Sequence, residues 1–250
     1  MPDLFNDLYV REIKLREDIS SDESYVFSLP VVRNLGPLSI NKKVTFFVGE
    51  NGTGKSTLLE AIAVNLGFNP EGGTKNFNFS SVETHSTLYK NLIVAKGVKR
   101  PKDGFFLRAE SFYNVASEID RLDKAAPNPF IHIYGGKSLH NQSHGESFMS
   151  LILNRFGGNS LYVLDEPEAA LSPTRQMTLL VRINELVKQN CQFIIATHSP
   201  ILLAYPDADI FTIDENGIKS TQYEETEHYI VTRQFLNNPQ KMLRYLFDSD

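Results

Sequence analysis

The chain has 250 residues, of which 41% are hydrophobic and 22% charged, and its formal net charge is −5. This composition is typical of a globular protein with a sizeable core, and the acidic balance excludes a surface that is basic all round. No apolar run approaches the roughly 20 residues of a membrane-spanning helix, the first residues lack the pattern of a secretory signal, and one cysteine cannot form an internal disulfide, so we expect a cytoplasmic protein.

The first half of the chain alternates short apolar runs with polar stretches. Strands are predicted where apolar residues alternate with polar ones or run continuously, at residues 8–15, 25–29, 44–48, 88–95 and 105–107. A helical pattern covers residues 55–66, and residues 67–86, which are rich in Gly, Asn, Ser and Thr, are predicted to form a loop.

The second half is predicted to alternate helices and buried strands. Helices are predicted at residues 112–122, 147–156, 173–188, 227–236 and 240–247, and strands at 161–164, 193–196 and 210–213. This alternation favours an α/β fold with a mostly parallel core sheet and an antiparallel β region. We expect one domain over residues 1–250, with residues 108–158 as an inserted helical subdomain.

The strongest motif follows the predicted strand 44–48. Residues 49–56 fit G-x-x-x-x-G-K-[ST], in which backbone N–H groups wrap phosphate oxygens and the next helix adds its positive dipole end. Lys55 is expected to reach the β- and γ-phosphates, and Ser56 to ligate Mg²⁺. The predicted nucleoside-triphosphate site comprises Gly49, Glu50, Asn51, Gly52, Thr53, Gly54, Lys55, Ser56 and Thr57.

Two carboxylates end the predicted strand 161–164. At the carboxyl end of a parallel strand, Asp165 would lie beside the phosphate loop and help to hold Mg²⁺, and Glu166 could polarise the attacking water. His198 follows the next buried strand, where it could contact the γ-phosphate or simply cap a loop. These positions predict a hydrolytic site, with Lys55, Glu166 and His198 as its catalytic residues.

A weaker anion-binding pattern precedes the predicted helix 147–156. It consists of a small hydroxyl residue and a glycine at a helix start, which by themselves are often only a helix cap. The residues are Ser143, His144, Gly145 and Glu146.

In this order, the motifs resemble those of the ATP-binding cassette (ABC) ATPase superfamily over roughly residues 25–215. The resemblance implies a P-loop NTPase fold, ATP as substrate with Mg²⁺, and the Walker B pair Asp165 and Glu166. It further implies that the signature residues 143–146 complete the ATP site of a partner subunit, and that His198 is the switch histidine. The D-loop would be formed by Ala170, Leu171 and Ser172.

The sequence departs from transporter subunits at several positions. His144 stands where the signature usually has glycine, Ser172 replaces the D-loop aspartate, and Glu-Pro-Glu follows Asp165. The Asp-Glu-Pro-Glu sequence resembles that of SMC and RecF-like heads and of the stand-alone AAA-family ATPases of bacteria. No glutamine loop is evident; Glu110 is the candidate for its metal- and water-facing position, and Arg108 could contact phosphate instead. Either residue could alternatively form an ordinary salt bridge at the end of the strand.

Two further features leave alternatives open. Tyr25, Phe27 and Arg33 are candidates for the adenine contact, although core packing is the favoured alternative for both aromatic residues. A basic cluster is either a solvated hairpin tip or a DNA contact; it comprises Lys96, Lys99, Arg100 and Lys102.

The resemblance implies an ATPase that works as an ATP-dependent, head-to-tail homodimer. Residues 109–146 are too short and too interrupted by Pro and Gly for a long coiled coil, which excludes an SMC arm. We expect a role in DNA repair, phage defence or related maintenance, with DNA or an effector protein as partner. The alternative is the nucleotide-binding subunit of an ABC transporter.

Overall fold

The computed structural model describes residues 7–17, 25–33, 35–77 and 86–247, so that residues 78–85 of the predicted loop lie outside the described part. Its strands are β1 (Val10–Leu15), β2 (Leu38–Ser39), β3 (Val44–Gly49), β4 (Leu92–Lys96), β5 (Asp103–Arg108), β6 (Ser160–Asp165), β7 (Gln192–Ala196), β8 (Asp209–Asp214) and β9 (Gly217–Ser220). Its helices are α1 (Pro30–Arg33), α2 (Lys55–Asn65), α3 (Leu88–Asn91), α4 (Phe112–Ala125), α5 (His144–Arg155), α6 (Pro173–Lys188), α7 (Pro200–Leu203), α8 (Glu227–Asn237) and α9 (Pro239–Phe247).

The strands form two sheets. The core sheet has the order β5-β6-β7-β3-β8-β9 and is parallel except for its last pair, the antiparallel hairpin β8–β9. A smaller sheet, ordered β2-β1-β4, is antiparallel throughout. The predicted mostly parallel core with an antiparallel region is therefore confirmed.

The core sheet is covered on both faces, which explains the continuous apolar runs of its central strands. Every residue of β3, β6 and β7 is buried. Helices α4, α5 and α6 contribute to one hydrophobic cluster, and α2 packs with the smaller sheet in the other. Parallel strands buried on both faces need apolar residues at successive positions rather than at alternate ones. Because the site residues follow these strands, the packed core fixes their positions.

Two predicted strands are wrong wholly or in part. Residues 25–29 form a 3₁₀ helix, Tyr25–Ser28, and lead into α1, whose first residue is Pro30. Proline suits the first position of a helix, and a short apolar run does not distinguish strand from helix. Residues 88–91 form α3 before β4 begins, and Asn65 of α2 donates a side-chain hydrogen bond to the Tyr89 carbonyl there (2.7 Å).

The other predicted elements differ from the structure mainly at their ends. Helix α5 begins at His144, three residues before its predicted start, because Ser143 and Glu146 cap it. Helix α6 has the predicted bounds. Among the described residues, no helix combines the length and the apolar character that crossing a membrane requires.

Candidate active site

The predicted phosphate loop connects β3 to α2. Gly54 has a φ of 95°, and a Cβ atom there would lie only 2.5 Å from Val31 Cγ1. Its left-handed conformation and this close approach both require glycine. The loop is tied to α1, since the Val31 N–H donates to the Thr53 carbonyl (3.2 Å). The loop therefore has the strand-turn-helix context that the motif needs.

Lys55 lies at the first position of α2, with its ammonium group turned over the loop. Its Nζ donates to the carbonyls of Gly49 and Glu50, at 2.8 Å each. Burial lowers the pKa of Lys55, while the nearby Glu166 and Asp165 carboxylates oppose that shift. The side chain is thus held at the place where the motif predicts a phosphate contact.

Ser56 and Asp165 are brought together from distant parts of the chain. Ser56 Oγ donates to Asp165 Oδ1 over 3.0 Å. Burial raises the pKa of Asp165 to about 6, against the opposing effect of the Arg108 cation. A hydroxyl beside a buried carboxylate suits Mg²⁺, which prefers oxygen ligands and is usually held by one or two carboxylates together with substrate phosphates. The two residues therefore fit the predicted metal, although the described residues include no cluster of three metal-binding side chains.

Arg108 is the last residue of β5 and lies among three carboxylates. Its Nη1 donates to Glu60 Oε2 (2.8 Å), and its Nε lies 3.4 Å from Asp165 Oδ2. Glu110, the predicted candidate, has a side chain that is 85% exposed and contacts Arg108 Nη2 at 3.4 Å. Arg108 is therefore the residue that lies next to the buried Asp165 carboxylate, whereas the Glu110 side chain is directed to solvent.

Glu166 has a strained backbone at the end of β6. Its φ and ψ are 50° and 52°, a left-handed conformation that is uncommon for a residue other than glycine. The Glu166 N–H donates to the Ala196 carbonyl at the end of β7 (3.0 Å). Strain of this kind concentrates at functional sites, where the surroundings maintain it. Here it directs the carboxylate towards His198.

His198 lies between Glu166 and the C-terminal helices. Its Nε2 is 3.5 Å from Glu166 Oε1, and its backbone N–H donates to Glu168 Oε1 (2.5 Å). Burial lowers the pKa of His198. The helix that follows is capped by Ser199, whose Oγ accepts from two backbone N–H groups. The residue that caps this helix is therefore Ser199 and not His198.

His228 is a site residue that sequence reasoning missed. It lies in the first turn of α8, and its Nε2 is 3.0 Å from His198 Nδ1. A histidine near a helix start, 30 positions from His198, forms no recognisable motif with it. The contact results from packing, and no local pattern in the sequence signals it.

The four predicted signature residues form the start of α5. Ser143 donates from its N–H and its Oγ to Glu146 Oε2, at 3.1 and 2.6 Å. The His144 ring stacks on Phe112 at 5.7 Å between centroids. A Cβ at Gly145 would lie 2.6 Å from the Ala170 carbonyl oxygen. The signature segment thus packs against the predicted D-loop.

The predicted D-loop connects a 3₁₀ helix to α6. Ala170 ends the 3₁₀ helix Pro167–Ala170, and Leu171 is buried. Ser172 is the N-cap of α6, where its Oγ accepts from the Arg175 N–H (3.4 Å). Serine thus serves as a helix cap where the family usually has aspartate.

A cavity of about 580 Å³ adjoins the phosphate loop. Its lining includes residues 49–53, Pro30, residues of the hairpin β8–β9, Glu227 and His228. The predicted adenine contacts Tyr25, Phe27 and Arg33 are absent from its described lining. Tyr25 is 68% exposed, whereas Phe27 packs against the core that contains α2.

Two family models match separate parts of the chain. One, described as an AAA domain, matches residues 27–121, which include the phosphate loop. The other is described as "AAA domain, putative AbiEii toxin, Type IV TA system", and it matches residues 142–204, from the signature segment past His198. The two matches together span the motifs described above.

Two relatives of known sequence agree with these matches. An uncharacterized ABC transporter ATP-binding protein of Haemophilus influenzae is 26% identical over 69% of this chain and 70% of its own length. The ribose import ATP-binding protein RbsA of Bacillus cereus is 24% identical over 82% of this chain, which spans only 45% of that relative.

The fold is shared with cbiO1 of Clostridium perfringens, described as part of the ABC transporter complex cbiONQ. The TM-score is 0.50, with 17% identity and coverage of 96% of this chain and 99% of that one. The motifs, the fold and the matches agree: the chain belongs to the ABC-type ATPase superfamily of P-loop proteins and is an ATPase.

Proposed function

We propose that the chain binds and hydrolyses ATP with Mg²⁺ as a head-to-tail homodimer in the cytoplasm, in which each subunit's signature segment completes the ATP site of the other. The observation that carries the proposal is the convergence of two pairs at the loop. Ser56 meets Asp165, and Glu166 meets His198, at the carboxyl ends of neighbouring strands.

Each of these residues has a chemical role in the proposed reaction. Lys55 and the loop N–H groups bind the phosphates. Ser56 and Asp165 would hold Mg²⁺, and that ion would supply positive charge to the phosphoryl oxygens. Glu166 accepts a proton from the attacking water as a general base. His198 orients that water or a phosphate oxygen through Nε2, which is buried and has no hydrogen-bond partner within the described structure.

The position of the signature segment supports the proposed dimer. Ser143 is bonded to Glu146, and Gly145 packs on Ala170; none of the hydrogen bonds found for Ser143 in the described residues joins residues 49–57. A signature that does not serve its own loop supports a role in the site of a second copy. ATP then acts as a ligand that favours the closed dimer.

For the biological role, we favour DNA repair, phage defence or related maintenance. No glutamine loop of the transporter type is evident in the sequence, and Arg108, in the segment where one is expected, is paired with Glu60 and Asp165. The basic cluster could contact DNA, since Lys96, Arg100 and Lys102 are exposed. The fourth member, Lys99, forms an ion pair with Asp7. A transporter subunit is the second candidate, which the names of the relatives favour.

The experiment that separates these roles is the ATPase rate with and without DNA. The rate of the purified chain is measured alone, with double-stranded DNA and with single-stranded DNA, at low and moderate salt. Stimulation that declines as salt rises supports the DNA role, because phosphate contacts release counterions. A variant with Lys96, Arg100 and Lys102 changed to Gln should lose the stimulation but keep the basal rate. A rate indifferent to DNA favours the transporter alternative.

A further inference from the structure

The His198 ring is contacted at both of its nitrogens. Nδ1 lies 3.0 Å from His228 Nε2, and Nε2 lies 3.5 Å from Glu166 Oε1. The two histidine rings have centroids 5.1 Å apart and are inclined by 54°. Glu166, His198 and His228 therefore form a continuous row that ends on α8, a helix beyond both matched segments.

His228 is held in this row by the cap of its own helix. The N-cap of α8 is Thr226, which is 1% exposed, and its Oγ1 donates to the Tyr223 carbonyl (2.7 Å). The Tyr223 hydroxyl in turn donates to the Pro200 carbonyl (3.0 Å). Pro200 begins α7, two residues after His198, so the segment that carries His198 also anchors the helix that carries His228.

The hydrogen bond between the rings can have only two forms. Burial lowers the pKa of both His198 and His228, which favours the neutral form of both imidazoles at pH 7. A neutral imidazole has one N–H donor and one acceptor nitrogen, so one ring must donate to the other. If His198 donated through Nδ1, its Nε2 lone pair would face the Glu166 carboxylate, which is also an acceptor.

The opposite form satisfies every group in the row. We propose that His228 is a positioning residue: its Nε2–H donates to His198 Nδ1 and thereby fixes His198 as the tautomer that carries its proton on Nε2. That N–H is then directed towards Glu166 and the attacking water. The inference rests on the proposed hydrolytic role of His198 and adds to it a residue that acts through His198.

The test compares two substitutions of His228. The Phe variant retains a ring but has no donor, whereas the Gln variant places an amide N–H near the position of Nε2. ¹⁵N NMR of histidine-labelled protein without nucleotide gives the tautomer of His198, whose signals are identified by their loss in His198→Gln. We expect the Nε2–H tautomer in the wild type and in His228→Gln, and a mixture in His228→Phe.

Turnover supplies the second readout. Loss of one orienting hydrogen bond should lower kcat about five- to tenfold in His228→Phe, with the KM for ATP unchanged. His228→Gln should restore kcat to about half of the wild-type value or more. The matched control is His132→Phe at an exposed position, which should change neither the tautomer nor kcat.

The result that would overturn the inference is an Nδ1–H tautomer of His198 in the wild type, or an unchanged tautomer and rate in a folded His228→Phe variant. The wild-type spectrum decides the question even if that variant fails to fold. Absence of any ATP hydrolysis by the wild type would instead contradict the proposed function, while the tautomer of the nucleotide-free protein would still test the hydrogen bond.

Discussion

Arg108 and Asp165 are paired opposite each other at the ends of β5 and β6, and Arg108 Nε lies 3.4 Å from Asp165 Oδ2. The same guanidinium bonds Glu60 of α2. Burial of Asp165 raises its pKa, and this cation is the largest influence in the opposite direction. One arginine therefore joins the helix after the phosphate loop to the predicted metal-binding carboxylate.

Arg108→Ala should destabilise the fold. The substitution leaves the largely buried carboxylates of Glu60 and Asp165 without their cation. Removing one partner of a buried ion pair lowers the free energy of unfolding by about 3 kcal/mol. The free energy of unfolding in urea measures this loss. Lys14→Ala is the control, because Lys14 and Glu12 form a partly exposed pair 3.5 Å apart. Equal unfolding curves for the two variants would contradict the structural role of Arg108.

Glu166→Gln should separate ATP binding from hydrolysis. The amide preserves the shape of the side chain but cannot accept the proton of the attacking water, so turnover should fall by at least about 100-fold. ATP then persists between the subunits, and light scattering should show a dimer at millimolar ATP. Lys55→Ala is the control and should remain monomeric under the same conditions. A Glu166→Gln protein that stays monomeric with bound ATP would remove the main support for the proposed dimer.

Ser143→Arg should abolish hydrolysis without weakening the binding of ATP to the monomer. The bulky cation lies at the start of α5, outside the contacts of the same chain's phosphate loop, and would obstruct a partner's ATP. Binding is measured with a fluorescent ATP analogue and turnover by phosphate release. An unchanged rate would mean that Ser143 and Glu146 serve only to cap the helix.

Mixing two inactive variants tests the head-to-tail arrangement directly. In a dimer of Lys55→Ala with Ser143→Arg, one composite site retains an intact loop from one subunit and an intact signature from the other. ATPase activity should therefore reappear on mixing, although each variant alone is inactive. Activity that never exceeds the sum of the separate proteins would contradict sites shared between subunits.

The elements that carry the site could be predicted from the sequence because buried strands appear in it as continuous apolar runs. β3, β6 and β7 are buried on both faces, so they form apolar runs, and the residues that end each run stand at one edge of the sheet. Gly54 and Lys55 could be recognised for the same local reason, since the chemistry of the turn depends on neighbouring residues.

The remaining features depend on contacts between distant residues. The apolar stretch at residues 25–29 has no periodicity that separates a strand from the 3₁₀ helix that forms. His228 lies beside His198 in a region where Tyr223 bonds to Pro200, and Arg108 lies beside Asp165 because β5 pairs with β6. Such contacts are set by tertiary packing, which a single sequence does not display.

Gln192 joins the two sheets, and its loss should destabilise their junction. The side chain is 1% exposed; its Oε1 accepts from the backbone N–H groups of Tyr9 and Val10 at 2.8 and 2.9 Å, and its Nε2 donates to the Val10 carbonyl at 2.9 Å. Gln192→Ala leaves these three backbone groups unpaired in a buried place. Each unpaired buried group lowers the free energy of unfolding by about 1–3 kcal/mol. Because water can partly enter the vacated space, we expect the three groups together to lower it by about 3 kcal/mol.

Urea unfolding, followed by far-UV circular dichroism, measures this change for Gln192→Ala. Gln234→Ala, on an exposed face of α8, is the matched control and should be nearly neutral, because no buried polar group loses a partner there. Amide hydrogen exchange adds the location of the effect: the N–H groups of Tyr9 and Val10 should lose protection well before those of β3. Protection that falls equally in both sheets would mean that the two sheets unfold as one cooperative unit, with Gln192 contributing no separate junction.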